Sequence, residues 1–251
     1  MAAPPAELTP ADRTVGQLVA DAIRVYGRAF WRCLAIGLVV AVFNQLALGQ
    51  NTGIQATILV LAAPLFTLAY LGACVLVAGQ RTTLRASLNA FAVGVLVFLP
   101  VGLLVWFFVL PAVAWLAFVG LSVPVALFEG RRVMESMRRA AQLAGSDYVH
   151  ALGTLATVVI LFFVSRSALL LLLHGQAGAA IRTAAFLADL VLSPLLFLGP
   201  ALLYFDQKAR LESGSPRRRR RDARLHHADE PDRTGRANAE VEPGSAARGE
   251  S

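Results

Sequence analysis

Two ionisable residues stand inside stretches that are otherwise apolar. Arg166 lies between Ser165 and Ser167 in the run from Ala151 to Leu173, and Asp189 lies in the run from Thr183 to Phe205. A charge at membrane depth is costly, so such residues face a partner or a wet cavity. Arg166 precedes the end of its run by about 11 Å of helix, and Asp189 follows the start of its run by about 9 Å. The depths match, and the two read as an intramembrane ion pair. The chemistry open to that pair is a clamp that fixes helix register, or a station on a proton or substrate pathway. A third alternative lets Arg166 snorkel to the outer interface.

Asn44 and Gln45 are the next polar residues to explain. They end an apolar run, and side-chain amides in such places hydrogen-bond between helices. Ala180, Ala184 and Ala188 repeat every fourth residue and form a small-residue ridge that permits close helix approach. Between Gly130 and Asp147, Val133, Met137, Ala140, Ala141, Ala144 and Tyr148 recur at helical spacing, while Arg131, Arg132, Arg138 and Arg139 take the other side. Glu135 precedes Arg138 and Arg139 by three and four residues, a spacing that supports a helix. This basic amphipathic segment belongs at an interface near anionic headgroups, either anchoring the span that follows or recognising lipid or a protein partner.

Other chemistry has no foothold. Cys33 and Cys74 lie within or at the edge of apolar runs and read as small hydrophobes. His150 and His174 are isolated. His226 and His227 are adjacent, but lack further ligands. No catalytic, nucleotide or metal motif is present, so no enzyme activity and no cofactor are expected.

The elements that must position these residues follow from composition. The chain has 251 residues, of which 57% are hydrophobic and 16% charged; soluble domains average roughly 45–50% and 25%. The apolar residues come in runs long enough to cross a bilayer core about 30 Å thick. Such runs become helices, because lipid offers the backbone no hydrogen-bond partners. Six spans can be drawn: 33–48, 54–78, 88–109, 112–128, 151–173 and 183–205. The expected fold class is therefore all-α, a polytopic transmembrane helical bundle with interfacial amphipathic helices. The third and fourth spans are separated only by Leu110 and Pro111. They form either a tight hairpin or one kinked element, and the hairpin is preferred on length. Prolines 64, 100, 194 and 200 fall inside spans and predict kinks.

Residues 1–13 read as a flexible lead and 14–212 as the membrane domain. Thr14 and Gln17 fit a capping box, opening an amphipathic segment that either lies on the membrane surface or extends the first span. The late start of the first apolar run predicts a retained signal anchor. From 213 to 251 apolar periodicity vanishes, and the segment is expected to remain disordered. Its run Arg217–Arg221 suits anionic lipid better than nucleic acid, since no aromatic residue follows to stack on bases. The net charge is +7, and Lys208 is the only lysine. Arginines cluster before the first span and after the second, fourth and sixth. The intervening loops carry no charge, apart from Arg182. By the positive-inside rule, both termini are cytoplasmic, and a bacterial plasma membrane is the expected location.

Several short motifs then converge. Pro124, Glu129-Gly130, Met137-Arg138-Arg139-Ala140, Leu143 and Gly145 resemble the central motif of the glycerophosphoryl diester phosphodiesterase membrane-domain superfamily of bacteria. Leu110-Pro111-Ala112 stands where that family has Pro-Gly, and residues 203–212 resemble its closing Tyr-Asp and Arg-Glu pattern. The opening segment around Gly16 to Trp31 is similar too. The likeness covers roughly residues 14–212, with Ala140 in place of a serine and Ala112 in place of a glycine. It implies a membrane domain alone. Nothing here resembles the catalytic domain to which that membrane domain is sometimes fused, so no phosphodiesterase activity is implied. The expected role is a non-enzymatic scaffold, regulator or lipid-organising protein with a membrane or cytoplasmic protein partner. The alternative is a small-solute or lipid transporter, although no internal repeat supports it.

Overall fold

A computed structural model describes residues 15–212 apart from 81, 108, 147, 174 and 176. Thr14, His174, the Arg217–Arg221 run and the tail histidines lie outside the described residues, as do the lead 1–13 expected to be flexible and the segment 213–251 expected to be disordered. Among the described residues all regular structure is helical: α1 (Val15–Arg28), α2 (Phe30–Ala47), α3 (Thr52–Leu61), α4 (Ala63–Ala78), α5 (Leu84–Phe107), α6 (Val109–Val119), α7 (Ser122–Glu129), α8 (Val133–Ser146), α9 (Tyr148–Leu172), α10 (Gly178–Leu192) and α11 (Pro194–Glu212). Among the described residues five of the candidate spans are long and apolar enough to cross a membrane, six when one bent pair is counted as a single span.

That pair is α3 and α4, which meet at 51°. Pro64 is the second residue of α4; it has no N–H to donate, and its ring crowds the carbonyl four residues back, so the helix breaks at Ala62. Pro194 likewise begins α11 directly after a break at Ser193, yet α10 and α11 still run as one 32-residue span from Gly178 to Ala209. The other two prolines do not break their helices: Pro100 lies within α5 and Pro200 within α11. In the turn that Pro100 loosens, the Val97 carbonyl accepts a hydrogen bond from Trp115 Nε1 at 3.0 Å, so a neighbouring helix steadies the backbone.

The third and fourth spans are two elements. α5 runs out, and α6 with α7 runs back along it. The return is fixed at its far end, where Asn89 Nδ2 on α5 donates to the carbonyl of Arg131 after α7. The opening amphipathic segment is a separate helix, broken from α2 at Ala29. Its buried residues are Leu18 and Ala22, and it packs on α9 as well as α2.

Close helix approach depends on small residues, but not on the ridge expected from sequence. Ala180 is exposed and Ala184 half-buried, leaving only Ala188 of that ridge buried. The tight contact lies on α2, where Cys33, Gly37 and Ala41 form a buried stripe. A methyl group on Gly37 would collide with the carbonyl oxygen of Leu190 on α10. Gly94 on α5 similarly admits Thr67 of α4. Behind these contacts stands an aromatic group: Phe66, Tyr70, Phe98 and Phe197 have ring centres 6.0–6.5 Å apart.

Candidate functional site

The stripe on α2 sets the rotation of that helix against α10, and this brings the intramembrane polar residues together. Arg166 Nε on α9 lies 2.9 Å from Asp189 Oδ1 on α10. The Asp189 side chain is fully buried and that of Arg166 is 25% exposed. Asn44 Nδ2 on α2 donates to the other carboxylate oxygen, Oδ2, at 2.9 Å. The ion pair and the amide, inferred separately from the sequence, form one cluster joining three helices. Gln45 acts beside it, donating from Nε2 to the Arg182 carbonyl at 2.8 Å. Ser193 Oγ donates to the Gly37 carbonyl at 3.3 Å. All three contacts tie α2 to α10.

A second cluster surrounds Glu129 at the end of α7. Its Oε2 lies 2.7 Å from Arg131 Nε and 3.7 Å from Arg139 Nε. Its Oε1 accepts from the hydroxyl of Tyr204 on α11 at 3.3 Å. The Tyr204 ring is fully buried and stacks on Phe128 with centroids 5.9 Å apart; Lys208 Nζ stands 6.0 Å from the same ring centre. Ser136 Oγ donates to the Arg131 carbonyl at 3.1 Å. Asp189 and Tyr204 are fifteen residues apart on the α10–α11 rod, so the two clusters are separated by roughly 20 Å along it.

The four arginines of the basic segment therefore divide. Arg131 and Arg132 precede α8 and do not lie on it. Arg131 and Arg139 turn to Glu129, and Arg139 pairs with that residue and not with Glu135 as the helical spacing suggests. A carboxylate held at a helix end beside a buried tyrosine competes better than an exposed glutamate one turn away. Arg132 and Arg138 remain exposed. The buried side of α8, with Ala140, Leu143 and Ala144, packs on α6 and α7.

Sequence reasoning did not single out Glu129 or Tyr204 as site residues. The signal was present in the motif likeness, since Glu129, Arg139 and Tyr204 come from three of the quoted segments and meet in space. Asp206 and Gln207, two and three residues after Tyr204 in the closing segment, are fully buried.

Beside the Asp189 cluster, touching Asn44 and Arg166, is a cavity of about 300 Å³. Its wall is apolar except for Asn44, Arg166 and Tyr70. Cys33 and Cys74 are buried free thiols, as their apolar settings imply. Among the described residues no three His, Cys, Asp or Glu side chains group to hold a metal. No family model, curated protein or solved structure matches the chain.

Proposed function

We propose that this chain is a non-enzymatic, lipid-organising membrane scaffold of a bacterial plasma membrane, with both termini cytoplasmic. The observation that carries the reading is the division of arginines. Those at membrane depth or beside Glu129 are paired within the fold, whereas Arg28, Arg32, Arg85, Arg132 and Arg138 are exposed. They flank the spans on the side that the positive-inside rule assigns to the cytoplasm. An exposed arginine near an anionic leaflet contributes about 1 kcal/mol of attraction. The meeting of Glu129, Arg139 and Tyr204 supports kinship with the superfamily whose motifs the sequence resembles, as a membrane domain without its catalytic partner. The cavity beside Arg166 favours the transport alternative, and its apolar wall suits lipid better than a polar solute.

The test is lipid enrichment. The purified chain is reconstituted in mixed phosphatidylglycerol and phosphatidylcholine nanodiscs, and co-purifying lipid is counted by native mass spectrometry. Phosphatidylglycerol is expected to be enriched, and the R132Q/R138Q variant is expected to lose much of that enrichment. Equal lipid ratios in protein and bulk would sink the proposal. Reporter fusions at Asn51 and Ser213 test orientation, and the same side at both sites would overturn it.

A further inference from the structure

The cavity carries an inference beyond the arginine collar, because it has shape, depth and unspent polar groups. One stripe of α9 lines it, namely Leu155, Val159, Phe162, Phe163 and Arg166. The spacing of four, three, one and three residues keeps them on one helical face. From Leu155 to Arg166 that face runs about 16 Å, close to half of a hydrocarbon core about 30 Å thick. The lined space thus follows α9 for about 16 Å as a slot, with Arg166 at one end of that stripe.

Two polar groups at the slot are not used up by the fold. Arg166 contacts Asp189 through Nε. Among the described residues none of its N–H groups makes a hydrogen bond, Nε included, so the guanidinium meets Asp189 as an ion pair alone. Tyr70 is 2% exposed, lines the same cavity, and its hydroxyl has no hydrogen-bond partner. A buried hydroxyl normally finds an acceptor. A guanidinium presents a donor fork suited to carboxylate or phosphate. Asp189 accepts from Asn44 at Oδ2, while its Oδ1 stands 2.9 Å from Arg166 Nε as an ion pair without hydrogen-bond geometry. The rest of the wall is aliphatic and aromatic and offers nothing to a polar solute.

We propose that the slot between α9, α6 and α11 binds one acyl chain of an anionic amphiphile, with its carboxylate or phosphate at the free face of Arg166. The amphiphile is a free fatty acid or one chain of a membrane phospholipid; both present an acyl chain and an anionic head. Tyr70 lines the same slot, where its hydroxyl can donate to a polar atom carried along the chain or to a trapped water. This site is independent of the exposed arginine collar, and either can fail without the other.

The experiment uses the full chain in phosphatidylcholine nanodiscs with three diazirine probes: a fatty acid, its uncharged methyl ester, and a phosphatidylglycerol carrying the diazirine on one chain. Photolabelled peptides are mapped by mass spectrometry. Labelling is expected on α9 and α6 facing the slot, with the fatty acid or the phosphatidylglycerol favoured over the methyl ester by about tenfold or more, the cost of losing a charge-assisted contact. The more efficient of the two anionic probes identifies the source of the chain. Val159→Trp or Leu116→Trp, each at a half-buried wall position, is expected to fill the slot and abolish that labelling. Should either variant misfold, the comparison of charged and uncharged probes on the unaltered protein still decides. Equal labelling by the methyl ester would overturn the role of Arg166. Labels spread over the lipid-facing surface, or unchanged labelling in a folded tryptophan variant, would overturn the site.

Discussion

Asp189 holds one arginine and one amide; Glu129 holds two arginines and one tyrosine hydroxyl. The chemistry of the two clusters is nearly the same, and their surroundings are not. The Asp189 side chain is fully buried, and its partners come from helices that cross the membrane. The Glu129 side chain is 14% exposed, and Arg131 is 45% exposed at a helix junction. A charge pair in a low-dielectric interior is held strongly and is costly to break, because loss of one partner leaves an uncompensated charge. A pair near water loses little, since solvent replaces the partner. The comparison teaches that an acid and an arginine within reach are not a fixed quantity of stability. Depth decides what the same pair does: at Asp189 it fixes the packing of three helices, and at Glu129 it orders a loop.

The sharpest way to break this contrast is Asp189→Ala. It leaves Arg166 alone at depth and is expected to destabilise the protein by about 3–5 kcal/mol, read by thermal or denaturant unfolding in detergent. The R166A/D189A double variant should recover part of the loss; strictly additive losses would show that the pair does not act as a unit. Gly37→Ala follows. The added methyl meets the Leu190 carbonyl, and forcing α2 from α10 is expected to cost about 1–3 kcal/mol. Its effect should be coupled to that of Asn44→Ala in a double-mutant cycle, since both act on one interface. Asn44→Ala alone is expected to cost about 0.6–1.7 kcal/mol. At the other cluster, Glu129→Gln keeps the shape and removes the charge. The expected loss is under about 1 kcal/mol, and it should shrink further in high salt, which screens exposed charges far more than buried ones. A Glu129→Gln loss as large as that of Asp189→Ala, or one insensitive to salt, would erase the distinction.

The sequence made much of this legible for reasons that can be named. Long apolar runs leave helices as the only backbone solution, so the spans could be placed within a few residues of where they lie. Arg166 and Asp189 stood out because charge is rare at depth, and helical rise alone matched their levels. That Asn44 completes the cluster was not legible: its partner depends on how α2 rotates against α10, and Gly37 sets that rotation by admitting a carbonyl. The alanine ridge misled for the same reason, as a small-residue repeat states where close approach is permitted but not which face meets a neighbour. Glu129 escaped notice because a single acid at a helix end is ordinary, and its value lies in Tyr204, which is 75 residues away. The spacing of Glu135 with Arg138 and Arg139 marked the helix α8, but not the tertiary contact of Arg139 with Glu129.

The order in which the Asp189 cluster is synthesised has a consequence for how the chain is made. Arg166 leaves the ribosome 23 residues before Asp189, a delay of about one to five seconds at ordinary elongation rates. During that interval α9 carries an arginine with no counter-ion. A central arginine costs about 2.5–3.5 kcal/mol on the insertion scale, against a gain of a few tenths for each Leu, Ile, Val or Phe. Of the five unbent candidate spans, α9 has the highest mean hydropathy. The greasiest segment is therefore the one that must enter the bilayer while its charge waits for a partner still being translated.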